Sequence, residues 1–269
     1  MTIASEYIVA GVGIHTGADA IVRLSPAPAG AGFVFSRPGG PGFRALPESV
    51  VDTRRCTVIA EGDLRVSTVE HLLSACAGLG VHDLAIEVDG PEIPILDGSA
   101  ARWVDAIRSA GLSGEPVKAP RLAEQVEVFG DQGAFAIAVP NRSWPVLDVH
   151  IEFAHPAVGK QKAHFGSRTD YARDVAPART FGFREEVDQL LAAGLAKGAS
   201  LENAVVVEPT GYSVALRYRN ELARHKLLDL IGDLALSGPL PRASIVAHRP
   251  SHRLNNALAR ALAAACLRG

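Results

Sequence analysis

His225 and Asp229 stand four residues apart in the segment Arg224-His225-Lys226-Leu227-Leu228-Asp229, and Asp233 follows four residues later. On a helix such positions form a row along one face. A histidine and two carboxylates would therefore line up on a helix that is otherwise rich in leucine. One reading is a solvated face, because Arg219, Glu221, Arg224 and Lys226 put charge nearby. The other is a metal site: a histidine and a carboxylate one turn apart can supply two ligands to zinc, leaving one further protein ligand and an open position for water. Spacing leaves both readings open.

A third ligand would have to come from far along the chain. His71 is the leading candidate, since it lies near the start of an earlier apolar helix and directly follows Glu70. A carboxylate beside a ligand suits a zinc hydrolase: the metal lowers the pKa of its water to ~7, and a general base takes the remaining proton. Each has a plainer alternative. His71 could be a satisfied core histidine, and Glu70 could close a capping box with Ser67. His252, in Arg249-Pro250-Ser251-His252, is either a general acid for a leaving amine or a surface residue of the turn before the last helix. Thr180, between Arg179 and Phe181-Gly182-Phe183, is either an oxyanion donor or an ordinary loop hydroxyl. The glycine-rich segment 194–203 lacks the lysine-serine ending of a phosphate loop.

The elements that would carry these groups follow from hydrophobic period and turn residues. Strands are expected at 7–12, 20–24 and 84–88, with helices at 67–78 and 100–110. Residues 116–124, with two prolines and little periodicity, form the expected linker. Strands at 125–129, 134–139 and 147–153 come next, then a helix at 184–193, a strand at 204–207 and a long helix at 220–236. A strand at 243–247 and a helix at 256–267 close the chain. His71-Leu72-Leu73 and His225-Lys226-Leu227-Leu228 each lie on an apolar helix that precedes a strand. This faint echo predicts an α+β fold of two similar domains, each a small sheet packed on helices. The domains are expected at 1–118 and 119–269.

Composition narrows the function classes. The 269 residues carry 27 Lys plus Arg against 29 Asp plus Glu, a net charge of −2, so there is no global field for nucleic acid or anionic membrane. No run of 18 apolar residues occurs, and the first residues lack the layout of a signal peptide, which points to the cytoplasm. Three scattered cysteines exclude a disulfide framework or a Cys-x-x-Cys zinc site. The nine histidines leave metal and acid/base chemistry open.

Six segments occur in order: Gly11-Val12-Gly13-Ile14-His15-Thr16-Gly17, Ser67-Thr68-Val69-Glu70-His71-Leu72-Leu73, Pro91-Glu92-Ile93-Pro94-Ile95-Leu96-Asp97-Gly98-Ser99-Ala100, residues 178–183, residues 224–234, and Leu254-Asn255-Asn256. Together they closely resemble the UDP-3-O-acyl-N-acetylglucosamine deacetylase family, zinc amidases of lipid A synthesis, from about residue 6 to the C-terminus. The resemblance implies two α+β domains with the active site between them, and a Zn2+ cofactor. His71, His225 and Asp229 match the family's zinc ligands and Glu70 its general base. His252 matches the histidine that protonates the departing amine, Asp233 the carboxylate that holds it, and Thr180 the hydroxyl that helps stabilise the oxyanion. Phe181 and Gly198 fall in segments lining the substrate site, and Lys226 and Arg249 match basic residues near the nucleotide diphosphate.

The implied partner is a small acylated UDP-sugar, with no nucleic acid and no transmembrane segment. The sequence carries no mark of oligomeric state and is compatible with a monomer. The segment from Leu190 to Leu201 is the expected apolar groove. Three departures from the family pattern stand out: Pro250-Ser251 replaces the usual Ser-Gly before His252, His82-Asp83 replaces Asp-Asn, and the chain is somewhat short. A related amidase acting on another acylated amino-sugar nucleotide is the alternative enzyme, and an idle binding protein of the same fold is the alternative from another class. The intact set of Glu70, His71, Thr180, His225, Asp229 and His252 argues against the latter.

Overall fold

Two five-stranded sheets of identical strand order organise the chain, and the computed structural model describes residues 1–267. The first sheet runs, in space, Tyr7–Val12, Asp19–Pro26, Leu84–Asp89, Phe33–Ser36 and Phe43–Arg44. The second runs Val126–Phe129, Phe135–Pro140, Ala243–His248, Val146–Glu152 and Lys160–Phe165. In both, the central strand is the last to enter in sequence. It pairs antiparallel with the second strand and parallel with the fourth.

The strands form where apolar residues alternate. Ala20, Val22 and Leu24 of the first sheet are buried, as are Leu147, Val149 and Ile151 of the second, with half-exposed or exposed residues between them. Such half-buried strands need a cover on one face. The helices are α1 (Glu70–Gly78), α2 (Ala101–Ala110), the single-turn α3 (Tyr171–Asp174), α4 (Arg184–Ala192), α5 (Glu221–Ala235) and α6 (His252–Ala265). Helix α1 immediately precedes the central strand of the first sheet and α5 that of the second, so the echo around His71 and His225 is a repeat of the whole topology. The fold is α+β with two similar layers, and one continuous buried cluster joins them.

Each half also carries a small three-stranded insertion between its last edge strand and its central helix. In the first half this is Val50–Asp52, Val58–Glu61 and Leu64–Val66. In the second, Phe181–Phe183 pairs parallel to Val205–Glu208 with α4 as the crossover, and Gly211–Tyr212 completes the sheet. Helix α4 buries none of its residues, and Leu191 and Leu201 stay more than half exposed at 53% and 54%.

Several expectations change. The capping box does not form: α1 starts at Glu70 rather than residue 67, without a side-chain cap, and Ser67 Oγ donates instead to the carbonyl of Pro91. Ser67 is held as a bridge to Glu92, which takes it out of the helix. The last helix starts at His252, four residues early, because Ser251 Oγ caps it by accepting from Leu254 N. It ends at Ala265, and Cys266–Leu267 pairs with Arg121–Leu122, so part of the expected linker is a strand. The hydrophilic strand Lys160–Phe165 was not anticipated; it is an edge strand, where lysine on the open side is usual.

Candidate metal centre and active site

Helices α1 and α5 pack lengthwise, and glycine sets how closely they do so. A Cβ on Gly232 would stand 2.0 Å from the carbonyl oxygen of Glu70, so only hydrogen at that position lets the start of α1 reach α5. Ser74 Oγ donates to the carbonyl of Leu228, and Tyr171 Oη donates to Ser74, which locks the crossing with buried hydroxyls. The polar row of α5 therefore faces α1 and not water: His225, Asp229 and Asp233 are all buried. The solvated-face reading of that row does not hold.

His71 from α1 and His225 and Asp229 from α5 converge. His71 Nε2 lies 3.6 Å and His225 Nε2 3.4 Å from Asp229 Oδ1, and one ligand atom from each residue lies within 4.8 Å of the others. Tetrahedral bonds of about 2.0–2.1 Å would put neighbouring ligand atoms roughly 3.3 Å apart, which this spacing matches. His225 and Asp229 are prepared for that use, whereas His71 Nδ1 has no hydrogen-bond partner. His225 Nδ1–H donates to the carbonyl of Ala178 at 3.1 Å, so Nε2 carries the free lone pair. Burial lowers the imidazole to about 4 and keeps it neutral. Asp229 Oδ2 accepts from Lys226 Nζ at 2.9 Å, whereas its buried Oδ1 has no hydrogen-bond partner. Burial opposes ionisation of Asp229, but His225 and Lys226 hold its carboxyl well below the ordinary value. A buried unpartnered oxygen beside two imidazoles is costly unless a cation completes it, and the set fits a metal.

Glu70 and His252 flank this cluster. Glu70 Oε2 accepts the Thr57 backbone N–H at 3.0 Å, while Oε1 lies 3.8 Å from His252 Nε2. Burial pushes the Glu70 carboxyl upward. His252 is the first residue of α6 and is buried, so it is neither in a turn nor on the surface. Its Nδ1 meets Asp233 Oδ2 at 2.9 Å. Burial works against its charge, yet Asp233 and then Glu70 carry its pKa up to about 9. Pro250-Ser251 gives this histidine a capped helix start, with Arg249 in the left-handed region at φ 49°.

Thr57, Asn255 and Asn256 were not anticipated as parts of the site. Thr57 Oγ1 donates to Asp233 Oδ1, Asn255 Nδ2 donates to Asp233 Oδ2, and Asn256 Nδ2 donates to Thr57 Oγ1. Thr57 thus ties the Glu70 and His252 sides together from the first insertion. Nothing in its local sequence signals this, since its partner Asp233 is 176 residues away. Asn255 and Asn256 belong to the Leu254-Asn255-Asn256 segment, whose spacing alone signals no role.

A cavity of about 310 Å³ opens from Glu70, His71 and Thr180. Its far wall is apolar, with Ile14, Ile95, Val187, Leu190 and Leu201 among the lining residues. Thr180 is fixed through its backbone, donating to the Gly98 carbonyl and accepting from Val205 N. Phe181 also lines the cavity, and Lys226 Nζ lies 5.6 Å over its ring. Phe153 and Phe183 pack around Phe181, an aromatic group the sequence reading did not assemble. Gly198 packs behind the wall, donating from its N–H to the Ile14 carbonyl, while its neighbours Ala196, Ala199 and Ser200 line the space. Arg249 pairs with Glu152 at 3.2 Å and donates to the carbonyl of Gln132. Lys226 and Arg249 thus each already have a carboxylate partner.

No helix among the described residues is long and apolar enough to cross a membrane. Residues 1–264 match the family model described as UDP-3-O-acyl N-acetylglycosamine deacetylase. A Nostoc sp. protein named UDP-3-O-acyl-N-acetylglucosamine deacetylase is 41% identical, with 98% of each chain covered. One of the same name from Acidithiobacillus ferrooxidans is 42% identical over 94% of this chain and 86% of its own length. With whole-length similarity of this order and a buried His, His, Asp cluster between two repeated layers, the chain belongs to the UDP-3-O-acyl N-acetylglycosamine deacetylase family.

Proposed function

We propose that this chain is a zinc amidase that hydrolyses the N-acetyl group of a UDP-3-O-acyl-N-acetylglucosamine, giving the free amine and acetate in the cytoplasm. The observation that carries the reading is the unpartnered Asp229 Oδ1 beside His71 and His225, with Glu70 and His252 on its flank. His71, His225 and Asp229 would hold the zinc. The chemistry that zinc supplies in such a set is Lewis-acid polarisation of water and of a carbonyl oxygen.

The chain's own groups divide the proton transfers. Glu70 Oε2 is occupied by the Thr57 N–H, which leaves Oε1 to take a proton from the attacking water. The water oxygen bonds to the acetamide carbon, and the Thr180 hydroxyl donates to the oxygen on which charge develops. His252 Nε2, oriented and kept protonated through Nδ1 by Asp233, gives its proton to the nitrogen as the C–N bond breaks. The products are then a neutral amine and acetic acid, which becomes acetate by giving its proton to solvent, and the proton on Glu70 returns to His252 to reset both groups. The apolar cavity takes the 3-O-acyl chain. Phe181, with Lys226 above its ring, faces the sugar nucleotide, Arg249 supplies charge for its diphosphate, and Gly198 keeps the cavity wall thin. In this reading residues 1–118 supply the base and one ligand, and residues 119–269 supply the other two ligands and the acid.

Acetate release from the acylated UDP-sugar, measured before and after chelation and again after zinc is restored, tests the proposal. Chelation should abolish release and zinc should restore it. No acetate from zinc-loaded protein on substrates of several acyl lengths would reject the reading.

A further inference from the structure

The segments 11–17 and 91–100 contribute no group to the chemistry above, yet they enclose a fully buried carboxylate. Glu92 Oε1 accepts from His15 N at 3.1 Å and Thr68 Oγ1 at 2.8 Å. Its Oε2 accepts from Thr16 N at 2.9 Å and Thr16 Oγ1 at 2.8 Å. Two backbone N–H groups and two hydroxyls converge on one side chain with 0% exposure. The approach is close enough that a Cβ on Gly13 would stand 2.3 Å from Glu92 Oε2.

What this carboxylate holds is the cavity wall. Ile14, His15, Thr68 and Ile95 all line the cavity, and they come from three separate segments. Glu92 fastens the turn that carries the first two. It also bonds Thr68, a β-branched residue kept at φ 60°, a strained conformation that persists only where its surroundings over-determine it. Its own segment hydrogen-bonds to the other two, through Ile93 N to the Ser67 carbonyl and Ile95 N to the Val12 carbonyl. The second half closes on the outer side of the same turn. Gly198 N donates to the Ile14 carbonyl and Lys197 N to the His15 carbonyl. The seam leaves no room for side chains: a Cβ on Gly198 would be 2.3 Å from the Gly13 carbonyl oxygen, and one on Gly98 would be 1.7 Å from that of Asn203.

We propose that Glu92 is a positioning residue for acyl-chain selection: by fixing the His15–Thr16 turn and Thr68, it sets the cavity wall against which the Lys197-Gly198 turn of the opposite half closes. It touches none of the groups placed in proton transfer or metal binding. Its effect therefore falls on how an acyl chain is held, which rests on the cavity being the acyl site. The four donors require acceptors at both oxygens, so glutamine, which puts an amide N–H₂ against at least one donor, does not replace glutamate.

The test compares Glu92→Gln with wild type on two UDP-sugar substrates, one with a long and one with a very short 3-O-acyl chain, with zinc content measured in parallel. KM for the long-chain substrate should rise about tenfold or more, as expected for breaking hydrogen bonds to a buried carboxylate. KM for the short-chain substrate, kcat for both and zinc content should stay within about twofold. Thr16→Val, which removes one of the two hydroxyl donors to Glu92 from a residue outside the cavity lining, should show the same chain-length split, and it decides the matter if Glu92→Gln does not fold. Equal KM changes on both substrates, or a fall in kcat alone, would overturn the proposal. Wild-type protein that is inactive on both substrates would instead remove the functional reading beneath it.

Discussion

Helices α1 and α5 hold the same place in two sheets of the same strand order, yet they contribute to the site in different ways. Helix α1 offers two adjacent residues, Glu70 and His71, from its uncapped first turn. Helix α5 offers a row of about two turns, His225, Asp229 and Asp233, along its side. Under the proposed function the first half would present one base and one ligand at a helix end, and the second two ligands and the support for an acid. A repeated scaffold fixes where the two helices cross, and the crossing brings one helix's end onto the other's flank. The insertions diverge in the same manner: that of the first half sends Thr57 into the polar network, and that of the second supplies Val187, Leu190 and Leu201 of the apolar wall.

The largest effects should come from separating proton transfer from metal binding. Glu70→Ala and His252→Ala, one from each half, should each lower deacetylation by at least about 10²-fold while zinc is retained, measured as acetate release against elemental analysis. Near-normal turnover in either variant would remove that half's share of the proton chemistry. His225→Ala should instead weaken zinc binding by about tenfold or more, since even supporting groups behind ligands carry that much. Full zinc occupancy in dilute chelator would take His225 out of the ligand set.

A smaller effect tests the crossing itself. Gly232→Ala drives a methyl into the Glu70 carbonyl, and neither backbone yields cheaply, so stability should fall by about 1–3 kcal/mol, read from the denaturant midpoint. Unchanged stability would mean that the two helices are free to separate. The smallest concerns how the second half starts the helix that carries His252. Ser251→Ala removes the cap on α6 and should cost about 1 kcal/mol. A loss confined to kcat, with stability intact, would show that the serine aims His252 and does little to hold the helix.

Much of the scaffold was legible because its signals are local. Alternation marked the strands at Tyr7–Val12 and Val146–Glu152, and leucine spacing marked α5. The elements that escaped lack such a signal. Lys160–Phe165 is mostly polar because one face and one edge meet water, and Phe33–Ser36 and Phe43–Arg44 are too short for a period to show. Ser67 and Glu70 have the spacing of a capping box, but longer-range partners, the Pro91 carbonyl and the Thr57 N–H, took both side chains.

The order of residues by itself determined which groups share a helix face, since i and i+4 neighbours follow from backbone geometry alone. It therefore determined that His225, Asp229 and Asp233 form one row, and the ordered motifs marked the family. Whether that row meets water or another helix was not contained in it. The absence of a Cβ at Gly232 matters only once Glu70 lies against it, and Glu92 looks like an ordinary loop carboxylate until the turn at His15 folds over it. Tertiary structure decided those pairings because hydrogen bonds, close contacts and metal ligation act over a few ångströms of space, whatever the separation along the chain.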